Sequence, residues 1–509
     1  MHNKSSNNRR IAKNAIFLYF RTFITMCITL FTSRVVLNSL GIADYGLYNV
    51  VGGVVAMFSV LTGSLSAAIS RFTTYELGKK DQQRLRKVFC TSINIQLVLI
   101  VTILLLVETV GLWFLNYKMN VAADRMIAAN WVFQFSIITF CLNLFTVPYN
   151  ASIIAHERMS AFAYISIADA TLRFLIALLI SVSPIDRLVF YSFMLMLCGT
   201  IIQMVYAQYC RTHFDECKYK LFFDKALFKE MFGFAGWNFI GASSDVLRDQ
   251  GGNIIINLFY GTTINAARAI AMQISGAITT FVNNFLTAVR PQITKSYAVG
   301  DYQYMMELIY RSSKFCGFIL LLFALPVYIT TPYILEIWLG IVPAHTVSFV
   351  RIILIYVMNE TMSGPMITAM LATGNIRKYQ LIVGGSQLLN LPLGYVCLAC
   401  GCAAESVFIV AVVVSCVGMF LRVYMLRNMI NLSFRQFYLQ IYFRVILVII
   451  TSAVIPSLIT QIITIDFPMF IMLCFLSIAS SATSIYLLGC TTEERNIVKQ
   501  MICKTIRKI

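Results

Sequence analysis

The chain has 509 residues, of which 59% are hydrophobic and only 12% charged, with a mean hydropathy of +0.77. A soluble domain carries about 25% charged residues, so half that share leaves too few to cover a water-facing surface, and a soluble fold is excluded. The net charge of +18 would suggest nucleic acid in a soluble protein; here it has to be assigned loop by loop first.

The apolar runs recur at lengths near the ~20 residues that cross a bilayer as helix. They are continuous rather than alternating, which excludes a β-barrel, and lipid leaves a spanning backbone no other way to satisfy its hydrogen bonds. They predict an all-α polytopic membrane protein with fourteen helices, at 13–38, 46–69, 88–115, 126–148, 161–182, 188–210, 231–259, 264–289, 312–333, 347–371, 380–400, 405–426, 441–463 and 467–489. The first run follows a polar segment with Lys4, Arg9 and Arg10. It is too long for a signal-peptide core and is expected to remain as a membrane helix.

With the N-terminus placed in the cytoplasm, the inside segments are 1–14, 71–87, 149–160, 210–229, 290–314, 372–380, 422–444 and 490–509. They hold thirty-one of the 40 basic residues, and the outside loops hold three, Lys118, Arg125 and Arg187. The positive-inside rule then predicts that both termini are cytoplasmic. The charge faces anionic lipid, and no nucleic-acid partner is needed. The outside loops are very short. The longest inside loop, 210–229, divides the first twelve helices into two sixes, as an internal repeat would. A shift of 220 positions places Gly41 on Gly261, Thr74 on Thr294, Asp81 on Asp301 and Gln83 on Gln303. The expected organisation is an N-terminal lobe 1–210, a cytoplasmic linker 211–229, a C-terminal lobe 230–430, and an appended region 431–509 with helices 13 and 14 and a basic tail.

Catalytic and metal signatures are missing from the sequence. Most of the fourteen cysteines lie in apolar runs, where Cys behaves as a small hydrophobe, and Cys397, Cys400 and Cys402 have no His or second Cys pair nearby. No glycine loop precedes a Lys-Ser/Thr pair, so ATP hydrolysis by this chain is not expected. The expectation is a non-enzyme with no cofactor and no metal.

The segment 32–49 reads T-S-R-V-V-L-N-S-L-G-I-A-D-Y-G-L-Y-N and is followed by Arg71 and Gly78-Lys79-Lys80-Asp81. Residues 260–301 repeat the arrangement and end in Arg290-Pro291-Gln292 and Gly300-Asp301. The Gly41, Asp44, Tyr45, Gly46 turn is the most specific part. These stretches resemble the bacterial polysaccharide-biosynthesis flippases of the multidrug/oligosaccharidyl-lipid/polysaccharide exporter superfamily. The resemblance implies two pseudo-symmetric six-helix lobes around a central cavity, with the extra helix pair at the C-terminus, alternating between inward- and outward-open states in the bacterial cytoplasmic membrane. The implied cargo is an undecaprenyl-pyrophosphate-linked glycan destined for surface polysaccharide, O-antigen or capsule. Membrane lipids, a proton or sodium ion and other polysaccharide-assembly proteins are the further partners it suggests.

The ionisable residues inside the predicted spans fit that cargo. Such residues cost ~2.5–3.5 kcal/mol each on insertion scales and normally face an interior or water. Arg21 and Arg34 lie on helix 1, Arg248 on helix 7 and Arg268 on helix 8. The resemblance puts helices 1, 2, 7 and 8 around the cavity, and a guanidinium binds pyrophosphate through a planar fork. Snorkelling to the headgroups is the alternative for Arg34 and Arg268, and a helix-packing salt bridge is the alternative for Arg21. Asp169 and Arg173, four apart on helix 5, predict an intrahelical pair. Asp245 and Asp249 on helix 7 and Glu360 on helix 10 are candidates for ion coupling, or else partners for the arginines. A flippase for lipid-linked oligosaccharide is the first reading and an ion-coupled drug or cation exporter of the same superfamily the second. A glycan polymerase is argued down by the short loops.

Overall fold

The computed structural model describes residues 2–56, 59–117, 123–220, 222–339, 342–462, 466–492 and 494–495. Every regular element among them is helical. In chain order these are α1 (His2–Ala56), α2 (Ser59–Lys79), α3 (Gln82–Tyr117), α4 (Ala123–Ala155), α5 (Met159–Val182), α6 (Arg187–His213), α7 (Lys225–Ala298) and α8 (Tyr302–Leu339). There follow α9 (Thr346–Met362), α10 (Gly364–Thr373), α11 (Arg377–Ala399), α12 (Ser406–Ile430), α13 (Phe434–Gln461) and α14 (Phe467–Gly489).

Ten of these helices are long and apolar enough to cross a membrane, and the chain is a multi-pass membrane protein. The predicted spans 46–69, 231–259, 264–289 and 347–371 are outside that set of ten, for local reasons. The first includes residues 57 and 58, which lie outside the described residues, so its two parts fall in α1 and α2. The last is broken at Ser363, where Pro365 opens α10; proline has no N–H to continue a helix but suits its first turn.

The middle two are joined in the 74-residue α7. A straight helix of that length would measure about 110 Å. Yet Arg268 Nη2 donates to the carbonyl of Asp249 at 2.8 Å, although nineteen residues of straight helix would separate them by about 28 Å. The chain therefore reverses between Gly252 and Arg268, around the predicted gap at 259–264. In α1 the break is a single residue. Gly41 has φ 79° and ψ 167°, a conformation open to glycine and closed to most L-residues, and it lies in the turn predicted from the sequence.

Two compact units divide the chain. The first comprises 1–242 and 287–300, the second 243–286 and 301–509. The boundary therefore falls inside α7, whose two ends belong to the first unit and whose middle belongs to the second. The core of the second unit shows why the apolar residues are spaced as they are. Ile278, Val282 and Leu286 of α7 pack with Cys316, Leu320 and Ala324 of α8 and with Phe349, Ile353 and Val357 of α9. Each set recurs every fourth residue and so lies along one helix face. Between helices in lipid the gain comes from close packing, because the acyl chains are as apolar as leucine.

In the first unit a buried carboxylate ties three segments together. Glu157 accepts from Arg10 Nε, Lys295 Nζ and Gln292 Nε2, each at 2.7 Å. In the same unit Gly78 lets α2 meet the end of α7. A Cβ there would lie 2.8 Å from Ala298 Cβ and 3.0 Å from Lys295 Cα.

Candidate substrate site

The predicted arginines fall into both units. In the first unit Arg21 lines a cavity of about 470 Å³ with Thr25, Thr29, Thr32, Asp169 and Arg173. The threonines come from one face of α1. Their hydroxyls donate to carbonyls of their own helix, Thr25 to Arg21 at 2.9 Å, Thr29 to Thr25 at 2.7 Å and Thr32 to Ile28 at 2.8 Å. Each oxygen therefore keeps acceptor capacity for the cavity. Arg21 makes no ion pair to a described residue; its guanidinium lies over the ring of Phe162, 4.7 Å from the centroid. Arg173 is paired in its own helix, Nε to Asp169 Oδ1 at 2.8 Å, as its four-residue spacing predicts. The result is a polar pocket with one unpaired cation, a paired one and a row of hydroxyls. Such a lining can meet an anion with a guanidinium and hydroxyl donors with oxygen acceptors.

Arg34 is elsewhere. It is exposed, and thirteen residues of helix turn it about 140° from Arg21. It does not line the cavity.

In the second unit Arg248 and Arg268 converge on Asp249. Arg248 Nε bonds Asp249 Oδ1 at 3.0 Å, and its Nη1 reaches Asp245 Oδ1 and Gln387 Oε1, both at 3.3 Å. Arg248 also lies 5.5 Å from the Tyr356 ring centroid. Arg268 is 5% exposed. Its Nη2 bonds the Asp249 carbonyl, its guanidinium is 5.6 Å from the Phe408 centroid, and its Nε and Nη1 are buried without a hydrogen-bond partner among the described residues. Gly252 makes room for it, since a Cβ there would lie 2.6 Å from Arg268 Nη2.

Glu360 forms a bidentate pair with Arg422, at 2.7 and 3.2 Å. Arg422 corrects the sequence reading. It falls both in the predicted helix 405–426 and in the inside segment 422–444 with which it is counted; it lies within α12 with its side chain only 4% exposed and paired with Glu360. The signal was present: the apolar stretch runs on through Val423, Tyr424, Met425 and Leu426. Asp245, Asp249 and Glu360 are thus all paired with arginine. Gln387, which meets Arg248, and the threonine row beside Arg21 were also passed over, although Thr22, Thr25, Thr29 and Thr32 recur at helical spacing.

Arg351 is held within its unit. Pro332 offers no N–H to the carbonyl of Tyr328, four residues earlier, and that carbonyl accepts from Arg351 Nε at 3.3 Å and Thr331 Oγ1 at 3.1 Å.

The comparisons with known proteins agree with this architecture. A crystal structure of a MATE point mutant matches with TM-score 0.73 at 13% identity, covering 84% of this chain and 97% of its own. The outward-facing conformation of a multidrug resistance MATE family transporter of the MOP superfamily matches with TM-score 0.71 at 12% identity, covering 84% and 96%. A MOP superfamily transporter from Pyrococcus furiosus, described as having a binding pocket of reversed polarity, matches with TM-score 0.70 at 12% identity, covering 84% and 96%. At such identities the likeness is one of fold. No curated protein matches by sequence. The profile of the polysaccharide biosynthesis protein family matches residues 11–297, more than half the chain. With the fold of MOP-superfamily transporters and a family match over that span, this chain belongs to the polysaccharide biosynthesis protein family.

Proposed function

We propose that the protein flips an undecaprenyl-pyrophosphate-linked oligosaccharide from the cytoplasmic to the outer leaflet of the bacterial cytoplasmic membrane by alternating access. The observation that carries this reading is Arg268, a buried guanidinium with two N–H-bearing nitrogens that have no hydrogen-bond partner among the described residues. An unsatisfied buried cation is costly, and a pyrophosphate oxygen would satisfy it with charge-assisted hydrogen bonds. The hydroxyl-lined cavity beside Arg21 offers acceptors of the kind a glycan's hydroxyls need. Arg248 is the second pyrophosphate candidate, Arg21 a third, and Arg34 the weakest because of its exposed position. Asp245, Asp249 and Glu360 are the residues through which a proton or sodium gradient would act. Each would have to release its arginine to do so, and their paired state gives a cation exporter little to hold its substrate with.

The test is flipping in proteoliposomes loaded with a lipid-linked oligosaccharide, read by access of an external sugar-modifying reagent. Arg268→Ala is expected to slow flipping about tenfold or more at normal protein level, given the strength of a charged hydrogen bond, and Arg268→Lys to restore part of it. If Arg248→Ala with Arg268→Ala left both flipping and substrate binding intact, the cationic-site reading would be refuted. Reporters fused after residue 215 and at the C-terminus are expected on the cytoplasmic side.

A further inference from the structure

The second unit holds another polar pocket, built from α8, α13 and the segment after α14. It has a volume of about 400 Å³ and is lined by Arg311, Lys314, Gln436, Gln440, Arg444 and Thr491, among others. Its cations are treated unequally. Lys314 Nζ bonds Glu494 Oε2 at 2.6 Å with both side chains buried, and the Thr491 N–H donates to the same oxygen at 2.8 Å. Arg311 pairs with Glu307 at 2.8 Å. Arg444 makes no hydrogen bond or ion pair to a described residue. Among the described lining residues, three cations stand against two carboxylates, a net charge of +1 centred on Arg444.

The surroundings of Arg444 say what kind of anion would fit. Gln436, Gln440 and Arg444 recur every fourth residue along α13. Beside them Leu439, Phe443 and Leu447 recur in the same way and are 57%, 60% and 39% exposed. A polar row with a free guanidinium thus runs alongside an exposed apolar row at one end of a membrane helix. A small soluble anion would use only the first row; a lipid would use both. Basic pockets between membrane helices on the cytoplasmic side take up anionic headgroups in this manner, and the orientation proposed above puts this end of α13 in that leaflet.

We propose that this pocket binds the phosphate of an anionic phospholipid, with Arg444 as the charged contact, Gln436 and Gln440 as amide donors, and an acyl chain along Leu439, Phe443 and Leu447. Such a lipid would tie α8, α13 and the segment leading to the C-terminal tail together, apart from the transport arginines.

The experiment measures retention of phosphatidylglycerol by the full chain in mild detergent, with phosphatidylcholine and inorganic phosphate as separate arms. It needs no transport, so its failure is distinct from failure of the flippase reading. Phosphatidylglycerol is expected to bind and phosphatidylcholine not. Arg444→Gln should weaken binding about tenfold, as loss of a charged hydrogen bond does, and Gln440→Glu should weaken it while leaving Arg444 in place. Lys229→Gln, an exposed position of the first unit, should change nothing. Equal retention by Arg444→Gln and Gln440→Glu would overturn the proposal. So would inorganic phosphate binding as tightly as the lipid, since the apolar row would then contribute nothing.

Discussion

The two units manage charge in opposite ways. In the first, apart from the Asp169–Arg173 pair within α5, the ion pairs sit at helix ends: Glu157 with Arg10 and Lys295 at one set of ends, and Arg125 with Asp44 and Asp186 at another. Between them the α1 cavity keeps Arg21 unpaired amid hydroxyls. In the second, Arg248, Arg268 and Arg422 lie within the helices with Asp245, Asp249 and Glu360, and Arg248 and Arg422 take up all three of these acids. Arg268 is left with a single carbonyl as hydrogen-bond partner among the described residues. A wet pocket can hold a lone cation at little cost, whereas a buried one needs a counterion. The first unit can therefore present Arg21 to a passing ligand as it stands, while the second has one arginine whose unmet demand a ligand would fill.

The largest expected effect breaks the second unit's balance. Glu360→Ala strands Arg422, whose side chain is 4% exposed. Removing one partner of a buried pair costs about 3 kcal/mol or more. Thermal unfolding in detergent should show a strong loss, largely recovered when Arg422→Met is added. The matching change in the first unit, Asp169→Ala, leaves Arg173 beside a polar cavity and should cost much less. Equal losses from the two would remove the contrast.

Next in size is a packing change. Gly78→Val forces a Cβ against Ala298 and the Lys295 backbone. Overpacking of this kind costs about 1–3 kcal/mol, and backbone contacts cannot be relieved by a rotamer change. Gly233, with nothing within 4 Å of its would-be Cβ, should accept alanine with no such loss.

Arg268→Met sharpens the comparison from the other side. Its demand for partners exceeds what the protein supplies, so an apolar side chain of similar length should leave the melting temperature unchanged or higher while transport falls. A clear drop in melting temperature instead would mean that Arg268 is there for packing.

Much of this was legible in the sequence. The helices, the turn at Gly41 and the Asp169–Arg173 pair follow from apolar run length, glycine conformation and four-residue spacing. The convergence of Arg248 and Arg268 on Asp249 was not. It depends on the reversal of α7, which brings residues nineteen apart into contact, and periodicity within one helix cannot show that. Arg422 was missed for a related reason. A charged residue four positions inside the end of an apolar run looks like the start of a loop until its partner, sixty-two residues away on α9, is known. Ten helices rather than fourteen pass as spans on apolarity among the described residues: α7 carries Asp245, Arg248 and Asp249 in one predicted span and uncharged polar residues such as Gln273, Asn283 and Asn284 in the next, Pro365 divides the helix after α8, and the span 46–69 includes two residues outside the description. The apolar pattern is weakest in the helices that carry the candidate site.

The smallest effect concerns pH at one end of the first unit. Arg125 bonds Asp44 through Nε at 2.9 Å and Nη2 at 2.6 Å, and Asp186 through Nη1 at 2.6 Å. Asp186 also caps α6 by accepting from the N–H groups of Leu188 and Val189, both at 3.1 Å. Burial pushes the Asp186 carboxyl up, but the Arg125 hydrogen bond and the two backbone donors outweigh it and hold the group below its usual range. A carboxyl whose folded-state proton affinity is lowered stabilises the fold at neutral pH and loses that contribution as pH falls through and below the ordinary carboxylate range. Asp186 is 36% exposed, and partly solvated pairs contribute at most about 1 kcal/mol. Wild-type protein should therefore lose a little more melting temperature on acidification than Asp186→Asn, which keeps the cap acceptor but has no charge to titrate. Arg125→Gln should flatten the same step. If the three proteins lost melting temperature in parallel from neutral to acid pH, the titrating contribution would have to lie elsewhere than at this end of the first unit.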